Sequence, residues 1–478
     1  MLFNSYQFIF LFLPIALLGY FALGRLGNLA PVIWLALASL AFYSVSNWQF
    51  AGLLVGSIAF NYVVGLLLIS KHLRAGPRFA VLTAGVTGDL LVLGTFKYAG
   101  FLAANLDALF SAGLTVNILL PVGISFYTFT QIAFLVDAYR GNVAHYSLPH
   151  YALFVSYFPH LIAGPILHHK DMIPQFERAE SQRPNAHLIL CGLMILAIGM
   201  FKKTCLADGI QPFVGLAFGP TPPTFDQAWI GALAYTFQLY FDFSGYSDMA
   251  IGISLMFGIF LPLNFNSPYK STSIIDFWRR WHMTLSQFLR DYLYFPLGGN
   301  RRGRTLRYVN LMITMVLGGL WHGAAWTFAA WGTLHGVYLC INHAWNHYGP
   351  TVAPRLAWLS NLAAFVLTFM AVVVAWVFFR ADSMSSALFI LSKMARPDHV
   401  ALSYRETFAA ALIMGYALLA WCAPNMQQIM GYDHRNRTVG ENLGLWPRRP
   451  GFICATAALF AFAILGIQQH SEFIYFRF

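Results

Sequence analysis

The chain has 478 residues, of which 58% are hydrophobic and 17% aromatic, and only 10% are charged, against about 25% in soluble domains. A water-soluble globule of this length needs far more polar surface, which excludes soluble enzymes, disordered proteins and nucleic-acid readers and points to one polytopic membrane body. The net charge of +11 is what Lys and Arg on cytoplasmic loops give a membrane protein, and no DNA- or RNA-binding motif accompanies it.

A membrane span needs about 20 mostly apolar residues. Runs of that kind lie at 7–24, 29–46, 49–70, 78–96, 117–137, 150–166, 187–206, 226–260, 308–330, 331–348, 356–380, 405–423 and 451–468. The first run lacks the basic residues and small-residue cleavage site of a signal peptide and reads as a retained span. The piece Tyr157-Phe158-Pro159-His160-Leu161-Ile162-Ala163-Gly164-Pro165 is too rich in Pro and Gly for a plain span. Lipid tolerates such backbone only where protein covers it. Arg25 falls between the first two runs, and Lys71, Arg74 and Arg78 between the third and fourth. Placing both groups inside puts the N-terminus on the outer, periplasmic side. The five cysteines, at 191, 205, 340, 422 and 454, form no CxxC or close pair and read as small buried hydrophobes.

The segment 270–307 breaks the apolar pattern. It holds Lys270, Arg279, Arg280, Arg290, Arg301, Arg302, Arg304 and Arg307 against only Asp276 and Asp291, which is too much charge for a lipid-facing span. It reads as an interfacial or re-entrant segment. Within it Ile274 to Leu289 is predicted to be one helix with Phe277, Trp278, Trp281, Leu285 and Phe288 on its apolar side, followed by a turn at Leu297-Gly298-Gly299-Asn300.

Ionisable side chains deep in such a protein are costly and are functional hypotheses by default. The sharpest is His322, in Gly318-Gly319-Leu320-Trp321-His322-Gly323-Ala324, where flanking glycines let a substrate approach the imidazole. Equally, Gly319 and Gly323 form a GxxxG contact that would make His322 a packed core residue. The second is His282: on a continuous helix Trp278, His282 and Ser286 share a face, and Asp276 pairs with Arg280 at i,i+4. The neighbouring arginines suit phosphate, or the segment is simply an interfacial helix with snorkelling basic residues. His343 and His347 have a metal-compatible spacing without a nearby carboxylate, so no metal is expected. Tyr240-Phe241-Asp242-Phe243-Ser244-Gly245-Tyr246-Ser247-Asp248 suits either a wet cavity or an inter-helix hydrogen-bond network. There is no GxSxG, P-loop or HxxxxD word.

These words are collinear with a known pattern. The opening Met1-Leu2-Phe3-Asn4-Ser5, then Leu120-Pro121-Val122-Gly123-Ile124-Ser125-Phe126-Tyr127, Phe158 to Pro165, Tyr240 to Ala250 and Asn264-Phe265-Asn266-Ser267-Pro268-Tyr269 all match. So do Asp276 to Leu285, Leu289-Arg290-Asp291-Tyr292-Leu293-Tyr294, Gly298 to Arg301 and Gly318 to Ala324. On them the chain resembles the membrane-bound O-acyltransferase (MBOAT) family, and within it the bacterial branch that acetylates alginate.

The resemblance implies an all-α polytopic fold, a single domain over 1–478, with about 11–13 membrane helices in a ring around a thin centre reached by funnels from both sides. It implies that His322 is the essential histidine and general base, that His282 is the second histidine, and that Arg279, Arg280, Arg290, Asp291 and Trp321 line the funnel or meet the donor. The expected donor is acetyl-CoA, with no bound cofactor. The C-terminal aromatic tail, 471–478, ends Phe473-Ile474-Tyr475-Phe476-Arg477-Phe478 and is similar to the ending of D-alanyl transfer systems, which makes Tyr475 a candidate acyl carrier; an interfacial aromatic tail is the plainer alternative. The expected setting is the bacterial inner membrane, with periplasmic acetyltransferase or esterase-like partners and an exported polysaccharide, alginate first, as acceptor. Relatives acting on peptidoglycan or cellulose, or carrying D-alanine, share many of these words. A polytopic transporter and a scaffold that only anchors partners are the readings from other classes.

Overall fold

The computed structural model describes residues 1–70, 73–111, 113–301, 303–350, 353–397, 402–440, 450–467 and 473–474. The described residues are helical almost throughout; their one extended pairing is a bridge between Asp433 and Thr438. In chain order the α-helices are α1 (Leu13–Leu23), α2 (Leu29–Ile69), α3 (Ala75–Phe110), α4 (Ile124–Tyr139), α5 (Leu148–Ser156), α6 (Phe158–Leu161), α7 (His169–Phe176), α8 (Ala186–Phe201), α9 (Asp208–Phe218) and α10 (Phe225–Met256). They continue as α11 (Ile274–Arg280), α12 (Met283–Leu289), α13 (Arg304–His322), α14 (Trp326–Tyr348), α15 (Ala357–Arg380), α16 (Met384–Ala395), α17 (Tyr404–Cys422), α18 (Met426–Met430) and α19 (Pro450–Leu465). Among the described residues five helical stretches, Phe8–Leu26, Trp48–Ile69, Ala75–Phe110, Ala186–Phe218 and Pro354–Arg380, are long and apolar enough to cross a membrane. This is an all-α polytopic membrane protein.

Several boundaries differ from the sequence reading: the run 117–137 is helical only from Ile124, the break placed between 330 and 331 falls after His322, and three more have a clear local reason. The runs 29–46 and 49–70 are one helix of 41 residues, about 60 Å long at 1.5 Å per residue. The polar residues between them include no Gly or Pro, so nothing interrupts the backbone ladder. The run 226–260 stops at Met256 because the chain turns at Gly258, whose φ of 75° favours glycine. The run 150–166 is broken, as its Pro and Gly content predicts. It forms α5 and the single turn α6, separated at Tyr157 and restarted with a proline in its first turn, and its side chains are buried almost without exception, as uncovered backbone polar groups require.

The helices fall into two compact units. The first comprises 1–200, 246–262 and 426–467. Its opening residues are anchored by aromatic packing: the Phe3 ring lies 4.8 Å from Tyr246 and 5.6 Å from Phe42, and Phe12 meets Phe158 edge-on at 5.2 Å. Gly192 of α8 and Gly252 of α10 touch backbone to backbone, since a Cβ on Gly192 would stand 2.5 Å from the carbonyl oxygen of Gly252. Polar groups buried among these apolar helices find one another. The Asn61 amide of α2 donates to Asp89 Oδ1 of α3 at 2.7 Å, and the Gln131 amide of α4 donates to Ser57 Oγ of α2 at 2.8 Å. Such bonds fix rotation and register where lipid-like packing alone would not.

Loss of one partner should therefore cost more than loss of both. Asn61→Leu strips the buried Asp89 carboxyl of its donor, a penalty of about 1–3 kcal/mol, and should lower the melting temperature of the purified protein. The double variant Asn61→Leu/Asp89→Leu should recover most of that loss, measured by thermal unfolding in one detergent.

Candidate functional site

The second unit comprises 201–245, 263–425 and 468–478 and contains both candidate histidines. Its centre is set by α13 and α14. A Cβ on Gly319 would fall 2.3 Å from the Phe328 carbonyl oxygen, and one on Gly332 would fall 2.3 Å from that of Met315. Gly323, past the end of α13, meets the Phe328 ring and is not the second member of a GxxxG helix contact; the two helices meet backbone to backbone through Gly319 and Gly332. The same contact makes the site. α13 ends at His322 because Gly323 turns to extended backbone (φ −160°), and close approach brings Trp331 of α14 to 5.1 Å from the His322 ring. Phe379 of α15 lies at 5.3 Å and Trp321 at 5.0 Å. His322 is left 3% exposed.

His282 reaches the same place by a different device. The helix predicted over Ile274 to Leu289 breaks: α11 ends at Arg280, and His282 takes the left-handed conformation, φ 42°, ψ 56°, before α12 starts. Trp278, His282 and Ser286 therefore do not share a helical face. Left-handed backbone at a residue with a Cβ is unfavourable and must be held from outside. Asn264 does so: its carbonyl oxygen accepts the Met283 N–H at 3.0 Å, and its Oδ1 accepts the Thr284 hydroxyl at 2.7 Å. The same Oδ1 faces His282 Nδ1 at 3.4 Å. An amide oxygen can only accept, so this network assigns the proton to Nδ1 and leaves Nε2 as the accepting nitrogen.

The two imidazole rings stand 6.4 Å apart, centroid to centroid. Phe243 of α10 closes His282 from the other side at 4.8 Å, ring edge to face. One aromatic stack ties both histidines together, from Trp281 to Trp376 at 4.9 Å and from Trp376 to Trp331 at 5.7 Å. Behind it, fully buried His335 accepts the indole N–H of Trp278 at Nδ1, 3.3 Å. Among the described residues, the buried indole nitrogens of Trp331 and Trp376 and Nε2 of His335 have no hydrogen-bond partner. The two indole N–H groups are buried donors with unused capacity.

The basic segment is divided in its commitments. Arg280 pairs with Asp276, its Nε at 2.9 Å from both carboxylate oxygens, as the i,i+4 spacing predicts. Arg290 is bound to its neighbour Asp291 at 2.7 and 3.1 Å, which holds its pKa above the ordinary arginine value. Lys270 donates to the Ala423 carbonyl, while Arg279 is exposed. His343 contacts Arg307 and His347 packs on Tyr348, so these two histidines stand apart from the pair at 282 and 322. Arg302 and Tyr475 lie outside the described residues. Trp331 and Phe379 were not picked out from the sequence, and Phe243 and Asn264 entered only as members of the words Tyr240 to Asp248 and Asn264 to Tyr269, with no role of their own.

A residue that tolerates left-handed backbone should fit position 282 better than one that does not. His282→Asn is expected to fold with a melting temperature close to that of the parent, and β-branched His282→Val to melt markedly lower; thermal unfolding of both variants measures the difference.

Comparison with known proteins adds the following. Residues 20–381 match the model of MBOAT, the membrane-bound O-acyltransferase family. The chain is 45% identical to the peptidoglycan O-acetyltransferase of Helicobacter pylori, over 86% of this chain and 83% of that one. It is 40% identical to the probable alginate O-acetylase AlgI of Pseudomonas putida over the whole of both chains. To the teichoic acid D-alanyltransferase of Streptococcus thermophilus it is 28% identical, over 55% of this chain and 69% of that one.

Proposed function

The chain belongs to the membrane-bound O-acyltransferase family and is an acyltransferase, and from that premise we propose that it passes acetyl groups from cytoplasmic acetyl-CoA across the bacterial inner membrane for O-acetylation of an exported polysaccharide. The observation that carries the mechanism is the buried pair of imidazoles, 6.4 Å apart within one aromatic enclosure. A hydroxyl proton leaves near pH 10 or above, whereas an imidazole with a reference pKa of about 6.5 accepts one at neutral pH. His322 takes the proton of the attacking hydroxyl as its oxygen bonds to the thioester carbonyl carbon. The carbon–sulfur bond then breaks, and the proton passes to the departing CoA thiolate. General-base help of this kind is worth about 100- to 10,000-fold. Indole N–H groups such as that of Trp331 suit the negative oxygen of the tetrahedral intermediate. His282, fixed by Asn264, orients the hydroxyl. Trp321 walls the site, and exposed Arg279, with Arg280 and Arg290 anchored by their aspartates, meets the phosphates of the donor.

The acceptor inside the membrane need not be the polymer. Tyr475 is suited to take the acetyl group on its phenol oxygen and give it to a hydroxyl of a periplasmic acetyltransferase or esterase-like partner, regenerating the phenol. The N-terminus is placed on the periplasmic side by Arg25, Lys71, Arg74 and Arg78 inside. Alginate is the favoured polymer because the match to the alginate O-acetylase relative runs end to end through both chains. Peptidoglycan is the second reading, favoured by the 45% identity to the Helicobacter pylori protein.

Two measurements test this. His322→Ala should lower transfer of radiolabelled acetyl from acetyl-CoA by about 100-fold or more with the melting temperature retained; unchanged transfer contradicts it and favours a transport or anchoring role. After incubation with acetyl-CoA, intact-mass analysis should find one acetyl group on the chain, absent in Tyr475→Phe. Acetyl content of purified alginate against peptidoglycan from cells with and without the gene separates the two acceptors.

A further inference from the structure

One buried charge cluster plays no part in that chemistry. Lys203, beyond α8, is 1% exposed, and its Nζ lies 2.8 Å from both Asp208 Oδ1 and Asp242 Oδ1. Burying three charges is expensive even when they are paired, and one lysine against two carboxylates leaves acceptor capacity to spare. The C-terminal tail uses it. The backbone N–H of Ile474 donates to Asp242 Oδ2 at 3.2 Å, and the ring of Phe473, 1% exposed, sits 5.3 Å from Lys203 Nζ in cation–π geometry. An N–H to a buried carboxylate is a charge-assisted bond, so two successive tail residues are held by one ion cluster, Ile474 through its main chain and Phe473 through its ring.

The helix that carries Asp242 also reaches one of the histidines. Asp242 and Phe243 are consecutive on α10, and the Phe243 ring packs 4.8 Å from His282. We propose that Lys203, Asp208 and Asp242 form a latch that seats the C-terminal tail at Phe473–Ile474, on the helix whose next residue, Phe243, packs against His282. They act as positioning residues for whatever the tail delivers. The latch stands on these contacts alone; its consequence for acetyl transfer rests on the reading of Tyr475, the next residue, as carrier. Asp242 is thereby a binding group for the tail.

The tail side gives the cleaner test, because it leaves the buried charges intact. Ile474→Pro deletes the donated N–H, whereas Ile474→Ala keeps it. In the full-length purified protein, carboxypeptidase digestion followed by intact mass should remove the tail of Ile474→Pro about tenfold faster than that of the parent or of Ile474→Ala. Phe473→Ala should likewise accelerate digestion. Equal rates for the parent and Ile474→Pro overturn the latch, and so does release of Ile474→Ala as fast as Ile474→Pro. Acetyl loading from acetyl-CoA then separates the two readings. A released tail with loading lost upholds both, and a released tail with full loading that persists in Tyr475→Phe upholds the latch and removes Tyr475 as carrier.

Discussion

Where Gly319 meets the carbonyl of Phe328 and Gly332 meets that of Met315, any side chain would collide with backbone at 2.3 Å. That constraint fixes the distance between α13 and α14, and most of the site follows from it. At this separation the last side chain of α13, His322, faces Trp331 across the joint, and Trp331 in turn stacks on Trp376 of α15. Apolar surroundings give helices little reason to choose one neighbour over another, so backbone-to-backbone contact at small residues is what specifies the pairing. The packing role of these glycines and the placement of the His322 imidazole are one arrangement.

The second imidazole is placed by the opposite means. α13 and α14 approach because side chains are absent, whereas His282 is held by Asn264, whose main-chain carbonyl accepts the Met283 N–H and whose side-chain oxygen accepts the Thr284 hydroxyl, stabilising backbone that would otherwise relax. Strain of this type costs of order 1–3 kcal/mol and persists where surrounding contacts over-determine it. The hydrogen bonds of Asn264 to Met283 and Thr284 supply that determination. His322 is only 3% exposed, so the packing around both imidazoles holds them rigidly in place.

Much of this was legible in the sequence, and what was not has a common cause. The apolar runs marked helices, Asp276 and Arg280 announced their ion pair through i,i+4 spacing, Gly298-Gly299 marked a turn, and Gly319 marked a tight contact. All are local signals. The break at Trp281-His282 was not legible because Trp-Arg-Arg-Trp-His-Met contains no Gly or Pro; its cause, Asn264, lies 18 residues away in sequence. The joining of 29–46 to 49–70 was missed because polarity there was read as an interruption when no residue breaks the helix. Lys203 lay inside an apparent span and drew no notice, since its partner Asp242 is on another helix. Non-local partners decide which buried polar residues are structural and which are poised for chemistry.

The central claim is that the acyl group reacts inside the aromatic enclosure of His322. It is tested most directly by photolysing the purified protein with a CoA thioester whose short acyl chain carries a diazirine, then mapping the label by peptide mass spectrometry. The account predicts label on the peptides that carry Trp321–His322, Trp331 or Phe379, suppressed by excess acetyl-CoA. Label confined to other peptides, with those three unmodified, would contradict it.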